Sequence, residues 1–442
     1  MLSAVAFVLF CFFCAAMAFV RHPIFGLYFY LASIYVHPPS RWWGYMLPDL
    51  RWALLSAGIT VLAVAFHRGR LSARPLWLGN APAAILSLYA AWMWLQTLWA
   101  LDQPTHIEGS TQFVKCLVAL WFVYRIVDTT ERLRDFLFLH AVGCGLLGIY
   151  AQFAGRDGNR LDGVGGPGMD DANTLGAYLA TGVIVCMGLF LTQKGWRRWT
   201  SLGLLAIIVN GFVLANSRGP FLGLAAGVLV LALCKARVHR PLFWSMVLVG
   251  TLGSGFIVDK AFVERMFTMG DVVSQDEEAD KSARSRVAIL EAQVRMARDY
   301  PLGAGHRGTA ALSTRYLDRQ WLTGGGADAD AQRSSHNTFM TTLVEQGPPG
   351  ALMFIALVLW LVQAMLRIRR WNSAAVDPEL ITLGAAVCGA ITVVYVAGWA
   401  ADYLLAEVQF WMFGALVSAL QLGAAAIGPP VGSQAPYRPV KA

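Results

Sequence analysis

Residues 259–337 read DKAFVERMFTMGDVVSQDEEADKSARSRVAILEAQVRMARDYPLGAGHRGTAALSTRYLDRQWLTGGGADADAQRSSHN. This is the one long polar excursion in an otherwise apolar chain. Between Asp259 and Arg333 lie 23 of the 62 charged side chains, split almost evenly by sign. Apolar segments flank the stretch on both sides. A polar insert between two membrane helices is where a membrane enzyme presents groups to a water-borne or lipid-headgroup substrate. The insert is therefore read first as a site and second as a loop.

The rest of the chain supplies the membrane. Of 442 residues, 57% are hydrophobic and only 14% charged, with a mean hydropathy of +0.52; soluble domains carry about a quarter charged residues. Apolar runs of about 17 to 22 residues point to helices, since a barrel shows shorter alternating strands. All seven cysteines (Cys11, Cys14, Cys116, Cys144, Cys186, Cys234, Cys388) sit inside apolar runs without histidine at ligand spacing. That pattern implies neither a disulfide framework nor a zinc site. The net charge of +8 does not point to nucleic acid, because outside the insert the basic residues lie in short turns between spans.

Taken in order, Leu2–Val20 is followed by the short segment Pro23–Val36, then Trp52–Phe66, Ala83–Leu101, Phe113–Val127 and Phe136–Ala154. Ala172–Leu191, Leu202–Ala215, Phe221–Cys234 and Leu242–Val258 precede the insert; Gly350–Leu366, Leu380–Ala400 and Tyr403–Ile427 follow it. The expected fold is an all-α polytopic membrane protein of about 12 transmembrane helices forming a single domain over residues 1–442. Basic turns at His67–Arg74, Lys194–Arg198, Lys235–Arg240 and Arg367–Arg370 are expected in the cytoplasm. Alternation then puts Asp102–Ser110, Gly155–Asp171, Asn216–Gly219 and the loop over residues 259–335 on the opposite face, with a disordered cytoplasmic tail at 429–442.

Motifs far apart in sequence thus converge on one side. There Arg160 precedes the glycine-rich run Gly163–Gly168 and Asp171-Ala172-Asn173, and Ser217-Arg218-Gly219-Pro220 joins two spans with almost no loop. The turn holds the Arg218 guanidinium at the membrane interface, where its planar fork suits a phosphate. The same residue could instead snorkel to lipid headgroups. Within the insert, Asp280-Lys281-Ser282-Ala283 reads as a helix start, and apolar residues recur at Ala283, Val287, Leu290, Val294 and Ala297. This predicts an amphipathic helix with Glu291 and Arg295 paired one turn apart, ended by Pro301-Leu302-Gly303-Ala304-Gly305. Arg284, Arg286, Arg295 and Arg298 line its polar sides, and Arg286 lies next to the apolar stripe.

His336 is expected just inside a helix start capped by Ser334 or Ser335. A positive helix end keeps an imidazole neutral, as a general base must be; packing or capping is the plainer role. His306 lies in a glycine-rich turn, and Asn337 follows His336. Asp328-Ala329-Asp330 matches a metal-binding DxD pair but sits in a Gly-Ala-Asp stretch that reads as a solvated loop. No metal site or cofactor is expected. Lys115, Asp402 and Glu407, inside or beside spans, should face a cavity or interface, since lipid exposure is costly.

These residues resemble the O-antigen ligase and polymerase superfamily. The resemblance rests on Ser217-Arg218-Gly219, Ser282-Ala283 with Arg286, Pro301 to Gly305, His336-Asn337, and Glu345-Gln346-Gly347 with Gly350. Arg21-His22-Pro23 and His37-Pro38-Pro39 look like the subgroup of O-glycosylation ligases associated with exosortase systems. Ala288-Ile289-Leu290 departs from it, where many relatives carry a tryptophan after the arginine. The resemblance implies a type C glycosyltransferase-like fold with a large periplasmic loop, in the bacterial inner membrane. It implies metal-independent transfer of a glycan from an undecaprenyl-pyrophosphate-linked donor to lipid A core oligosaccharide; direct attack at the anomeric carbon would invert its configuration. Arg218 and Arg286 would bind the pyrophosphate and His336 would activate the acceptor hydroxyl. Arg160, Asn173, Lys115, Asn337 and His306 would complete the substrate site. An O-antigen polymerase or a protein O-oligosaccharyltransferase would use the same donor. A lipid-linked glycan transporter should instead show internal repeats and midplane charges, which are not evident.

Overall fold

The computed structural model describes residues 2–155, 161, 163–255, 258, 262–263, 266, 277–322, 332–374 and 376–427, with residues 277–286 as helical backbone. Fifteen α-helices can be followed among the described residues, and no strand. They are α1 (Leu2–Val20), α2 (Ile24–Val36), α3 (Trp52–Phe66), α4 (Ala81–Gln96), α5 (Gln103–Ile126), α6 (Thr130–Ala154), α7 (Ala172–Thr192) and α8 (Gly195–Ala215). After these come α9 (Arg218–Cys234), α10 (Arg240–Ser254), α11 (Glu277–Asp299), α12 (Gly308–Tyr316), α13 (Thr338–Trp371), α14 (Pro378–Ala397) and α15 (Glu407–Ile427). Seven of these, α1, α6, α7, α8, α13, α14 and α15, are long and apolar enough to cross a membrane; α3 and α9 are apolar but shorter. The chain is thus a polytopic all-helical membrane protein.

Helices that are apolar all round belong in the middle of a bundle. α7, α14 and α15 are buried over most of their length and form that centre. α9 docks on α14 through Gly219, Gly223 and Gly227, one small residue per turn. A Cβ at Gly223 would come within 2.5 Å of the Val393 carbonyl oxygen, and one at Gly227 within 2.9 Å of that of Gly389. Small residues at this spacing let two backbones touch. The contact draws the first turn of α9, with Arg218, against the end of α14. Inside the bundle, His140 sits between the Tyr35 hydroxyl (2.6 Å) and Thr181 Oγ1 (3.1 Å).

Four local expectations change. Asp102–Ser110 is helix rather than turn, since α5 starts at Gln103 and Asp102 caps it by accepting the Thr105 N–H at 3.2 Å. The span expected from Gly350 begins at Thr338, because α13 continues through a kink at Gly347 (φ 67°), ahead of Pro348 and Pro349. In α11 the predicted stripe is the open one: Val287, Leu290 and Val294 are exposed, while Ile289, Ala292 and Met296 are buried, Ala292 and Met296 in a cluster with Ala304, Leu312 and Val344. Both faces repeat at helical spacing, so periodicity could not say which one docks. Arg295 donates to the Tyr316 carbonyl at 2.9 Å instead of pairing with Glu291.

Candidate functional site

The site is built around the kink in α13. Proline has no N–H, so Pro348 and Pro349 leave the Val344 and Glu345 carbonyls without their helical donors. Ala304 N–H donates to the Val344 carbonyl and Gly305 N–H to that of Glu345, each at 2.9 Å. Gln96 Nε2 adds a 3.1 Å bond to the Glu345 carbonyl, and Trp92 Nε1 donates to that of Gln346 at 2.7 Å. The turn Pro301–Gly305, which ends α11 as expected, is thereby stitched into the bundle. It can lie so close only because Gly303 (φ 85°) and Gly305 (φ 87°) adopt left-handed backbone. A Cβ at Gly303 would meet the Gln96 amide nitrogen at 2.5 Å.

That turn delivers His306. Its backbone N–H donates to His106 Nδ1 at 2.8 Å, while His106 Nε2 lies 2.7 Å from the Met93 carbonyl. A nitrogen that accepts an N–H carries no proton, so His106 is the neutral tautomer with Nε2 donating. The His306 ring packs directly against Gly109, where a Cβ would stand 2.2 Å from its Cδ2. His306 Nδ1 is buried and faces Glu345 Oε2 at 3.6 Å, so Nε2 is the nitrogen available to the cavity that His306 lines. The Glu345 carboxylate is aimed by the same turn, accepting the N–H groups of Arg307 (2.9 Å) and Thr309 (3.4 Å). Burial alone would lower the imidazole; Glu345, with Asp402 beyond it, outweighs burial and holds His306 above its ordinary value.

His336 reaches the same cavity from another direction. Contrary to expectation it precedes the helix: the cap of α13 is Asn337, whose Oδ1 accepts the N–H groups of Phe339 (2.9 Å) and Met340 (3.1 Å). Ser335 is buried and takes a 2.7 Å bond from Gln293 of α11, then donates to the Asn337 carbonyl at 3.0 Å. α11 thus holds the segment that carries His336. Thr338 fastens it to the turn after α14, donating through Oγ1 to the Ala401 carbonyl at 2.9 Å and accepting the Tyr403 N–H at 2.9 Å. The Tyr403 hydroxyl donates to the Asn173 carbonyl at 2.9 Å, and Ser217 Oγ donates to Asn173 Oδ1 at 2.7 Å. Four distant segments therefore meet: 171–174, 217–219, 335–338 and 398–403.

Segment 217–219 lies beside, and the other three border, a cavity of about 680 Å³ whose wall includes Asp171, Asn173, His306, His336, Glu345 and Asp402. Asp402 remains accessible from it. Enclosure of its carboxyl by the surrounding protein, reinforced by the Glu345 carboxylate, holds it well above the usual carboxylate range. Asp171 caps α7 by accepting the Asn173 N–H at 2.8 Å. Arg218, half-buried, starts α9 beside this wall: Ser217 before it bonds Asn173, and a Cβ at Gly219 after it would touch Ala400 at 3.0 Å. Chemically, the arrangement offers two imidazoles, the carboxylates of Glu345 and Asp402, the latter of raised proton affinity, and an arginine at the adjacent helix start. Such a set can take a proton from a hydroxyl and hold an anion.

Of the residues singled out in the sequence, His336, His306 and Asn173 line the cavity. Arg218 and Asn337 sit immediately beside lining residues. Lys115 does not line it; it is exposed along α5. Glu407 lies at an interface, taking bonds from the Tyr30 hydroxyl and, at 3.2 Å, Trp411 Nε1. Arg160, the Arg284 and Arg286 side chains, Asp328, Asp330 and the tail 429–442 lie outside the described residues. Sequence reading gave no role to His106, which nothing in its local pattern marks, nor to the Glu345 carboxylate, although its motif with Gly347 was noticed.

Residues 203–355 match the family model described as O-antigen ligase. The match covers α9, the insert, His306, His336, Glu345 and the kink in α13. No curated protein matches the chain.

Proposed function

We propose, for a chain that residues 203–355 assign to the O-antigen ligase superfamily, that this protein is a glycosyltransferase working at a membrane face. The donor is a glycan on undecaprenyl pyrophosphate and the acceptor a hydroxyl of lipid A core oligosaccharide, at the periplasmic side of the bacterial inner membrane. The observation that carries this reading is the meeting of His306, His336, Glu345 and Asp402 around one cavity beside the Arg218 end of α9. Pyrophosphate is a good leaving group, so the reaction needs charge stabilisation more than a strong acid. Arg218 supplies it from a helix N-terminus, with Arg286 as its partner. A neutral His336 takes the proton of the attacking hydroxyl as that oxygen bonds the anomeric carbon with inversion; the bond to the pyrophosphate oxygen breaks and undecaprenyl pyrophosphate leaves.

The test is reconstitution of the purified protein with a lipid-linked glycan and separate candidate acceptors. Transfer to core oligosaccharide that survives EDTA is the expected result. Arg218→Ala and Arg286→Ala should each abolish transfer while the protein still inserts, and His336→Ala should bind donor but not turn over. Full activity in either arginine variant would sink its pyrophosphate role. Product consisting of lengthened lipid-linked glycan would instead identify a polymerase, and glycosylated protein an oligosaccharyltransferase.

A further inference from the structure

At the end of the bundle away from the catalytic cavity, two basic turns fold into one pocket. α9 runs from Arg218 to Cys234, 17 residues or about 25 Å at 1.5 Å per residue, and α13 likewise starts at the site and ends at Trp371. The residues just past the end of α9 and in the last turn of α13 enclose a second cavity of about 560 Å³. Lys235, Arg237, Arg240, Arg369 and Arg370 line it, and among the described residues no carboxylate does. Among the described residues none of these five forms an ion pair. Five like charges at one concave surface repel one another and hold a standing demand for an anion.

The pocket is constructed. Asn372 ties the two turns together: its Oδ1 accepts the Arg237 N–H at 2.9 Å and its Nδ2 donates to the Lys235 carbonyl at 3.2 Å. Lys235 is buried, with Nζ donating to the Ala232 carbonyl at 2.8 Å and lying 4.1 Å from the centre of the Phe243 ring. Two of its ammonium hydrogens remain for another acceptor. Topology-setting charges need only lie on one side of the membrane; they have no need to converge or to be braced. Beside them, Leu233, Trp244 and Leu366 are exposed and line the same cavity. Arg370 also borders an adjoining groove with Leu420 and Ile427.

We infer that this basic pocket binds a phosphate-bearing anion, and that its source is the headgroup of an anionic phospholipid whose acyl chains lie against Leu233, Trp244 and Leu366. Cationic side chains gathered in one pocket beside exposed apolar side chains match an anionic headgroup at the bilayer boundary. A soluble phosphate would make no use of the apolar wall.

The full-length protein in neutral detergent is titrated with phosphatidylglycerol or phosphatidylcholine and bound lipid is counted by native mass spectrometry. Phosphatidylglycerol should bind and phosphatidylcholine should not. Arg237→Gln/Arg369→Gln should weaken the phosphatidylglycerol adduct at least tenfold. Arg68→Gln/Arg70→Gln, which removes the same charge from another basic turn, should change it less than twofold. Arg237→Lys/Arg369→Lys should retain it within about threefold, which separates loss of charge from loss of fold. Equal weakening by the two glutamine pairs would reduce the effect to general charge and overturn the site. Displacement of the lipid by millimolar inorganic phosphate would overturn the lipid source in favour of a soluble phosphate.

Discussion

His306 Nδ1 lies 3.6 Å from Glu345 Oε2, and the carboxylate is held in that position by the N–H groups of Arg307 and Thr309, from the very turn that carries the imidazole. Histidine and carboxylate are therefore oriented by one another's backbone. Movement of the turn would lose both together.

That pairing sets a pH dependence of stability. A histidine whose folded-state value is raised stabilises fully below its unfolded value, about 6.5, and the gain is lost as pH rises through the higher folded value. Asp402 is raised as well, so its contribution is complete below about 3.9 and is lost upward from there. Both act in the same direction. Above about pH 6.5, where histidines of lowered folded-state value such as His106 are neutral in both states, the unfolding midpoint of the detergent-solubilised protein should fall with rising pH, and His306→Gln should reduce that fall. A His306→Gln midpoint that falls as steeply as the wild type over this range would refute the pairing.

Gly109 is predicted to be a positioning residue for His306. Gly109→Ala drives a methyl group into the imidazole, where the contact would be 2.2 Å, and overpacking of this kind costs about 1–3 kcal/mol. The stability loss should largely disappear in the His306→Ala background, measured as a double-mutant cycle. Additive losses would show that the two residues do not share the space.

Asn337 is occupied by capping α13 through its Oδ1. Asn337→Ala should cost about 0.5–2 kcal/mol. Asn337→Asp keeps the acceptor and should keep both stability and transfer. If Asn337→Asp is stable but inactive, its amide contacts substrate and the capping role is incomplete.

Arg218→Lys preserves charge at the start of α9 but not the planar fork. Transfer should fall by about 10²- to 10³-fold, in the range seen when one transition-state donor is removed, while the apparent donor affinity changes much less. Unchanged turnover in this variant would leave Arg218 as a charge at the interface with no bidentate role.

Much of the architecture could be read from local pattern, because local physics decides it. Apolar runs such as Ala172–Leu191 and Leu380–Ala400 became α7 and α14 almost residue for residue. Pro301 to Gly305 ended α11 as its residue types demand. Errors arose where two readings satisfy the same rule. α11 is apolar at helical spacing on two faces, and only packing in the cluster with Val344 selects the face of Ala292 and Met296 for burial. Ser334 and Ser335 both suit a cap ahead of His336, yet the N–H donors of Phe339 and Met340 chose Asn337, the residue after it.

Composition and periodicity alone determined a polytopic helical protein with one polar insert, because hydrophobic length and turn chemistry act between neighbours in the chain. Tertiary structure decided which polar groups share a cavity. His106 and His306 are 200 residues apart, and Glu345 meets the turn after α11 because two prolines downstream free its carbonyl. A hydrogen bond extends about 3 Å through space whatever the distance along the chain, so those partners could be found only once the bundle had folded.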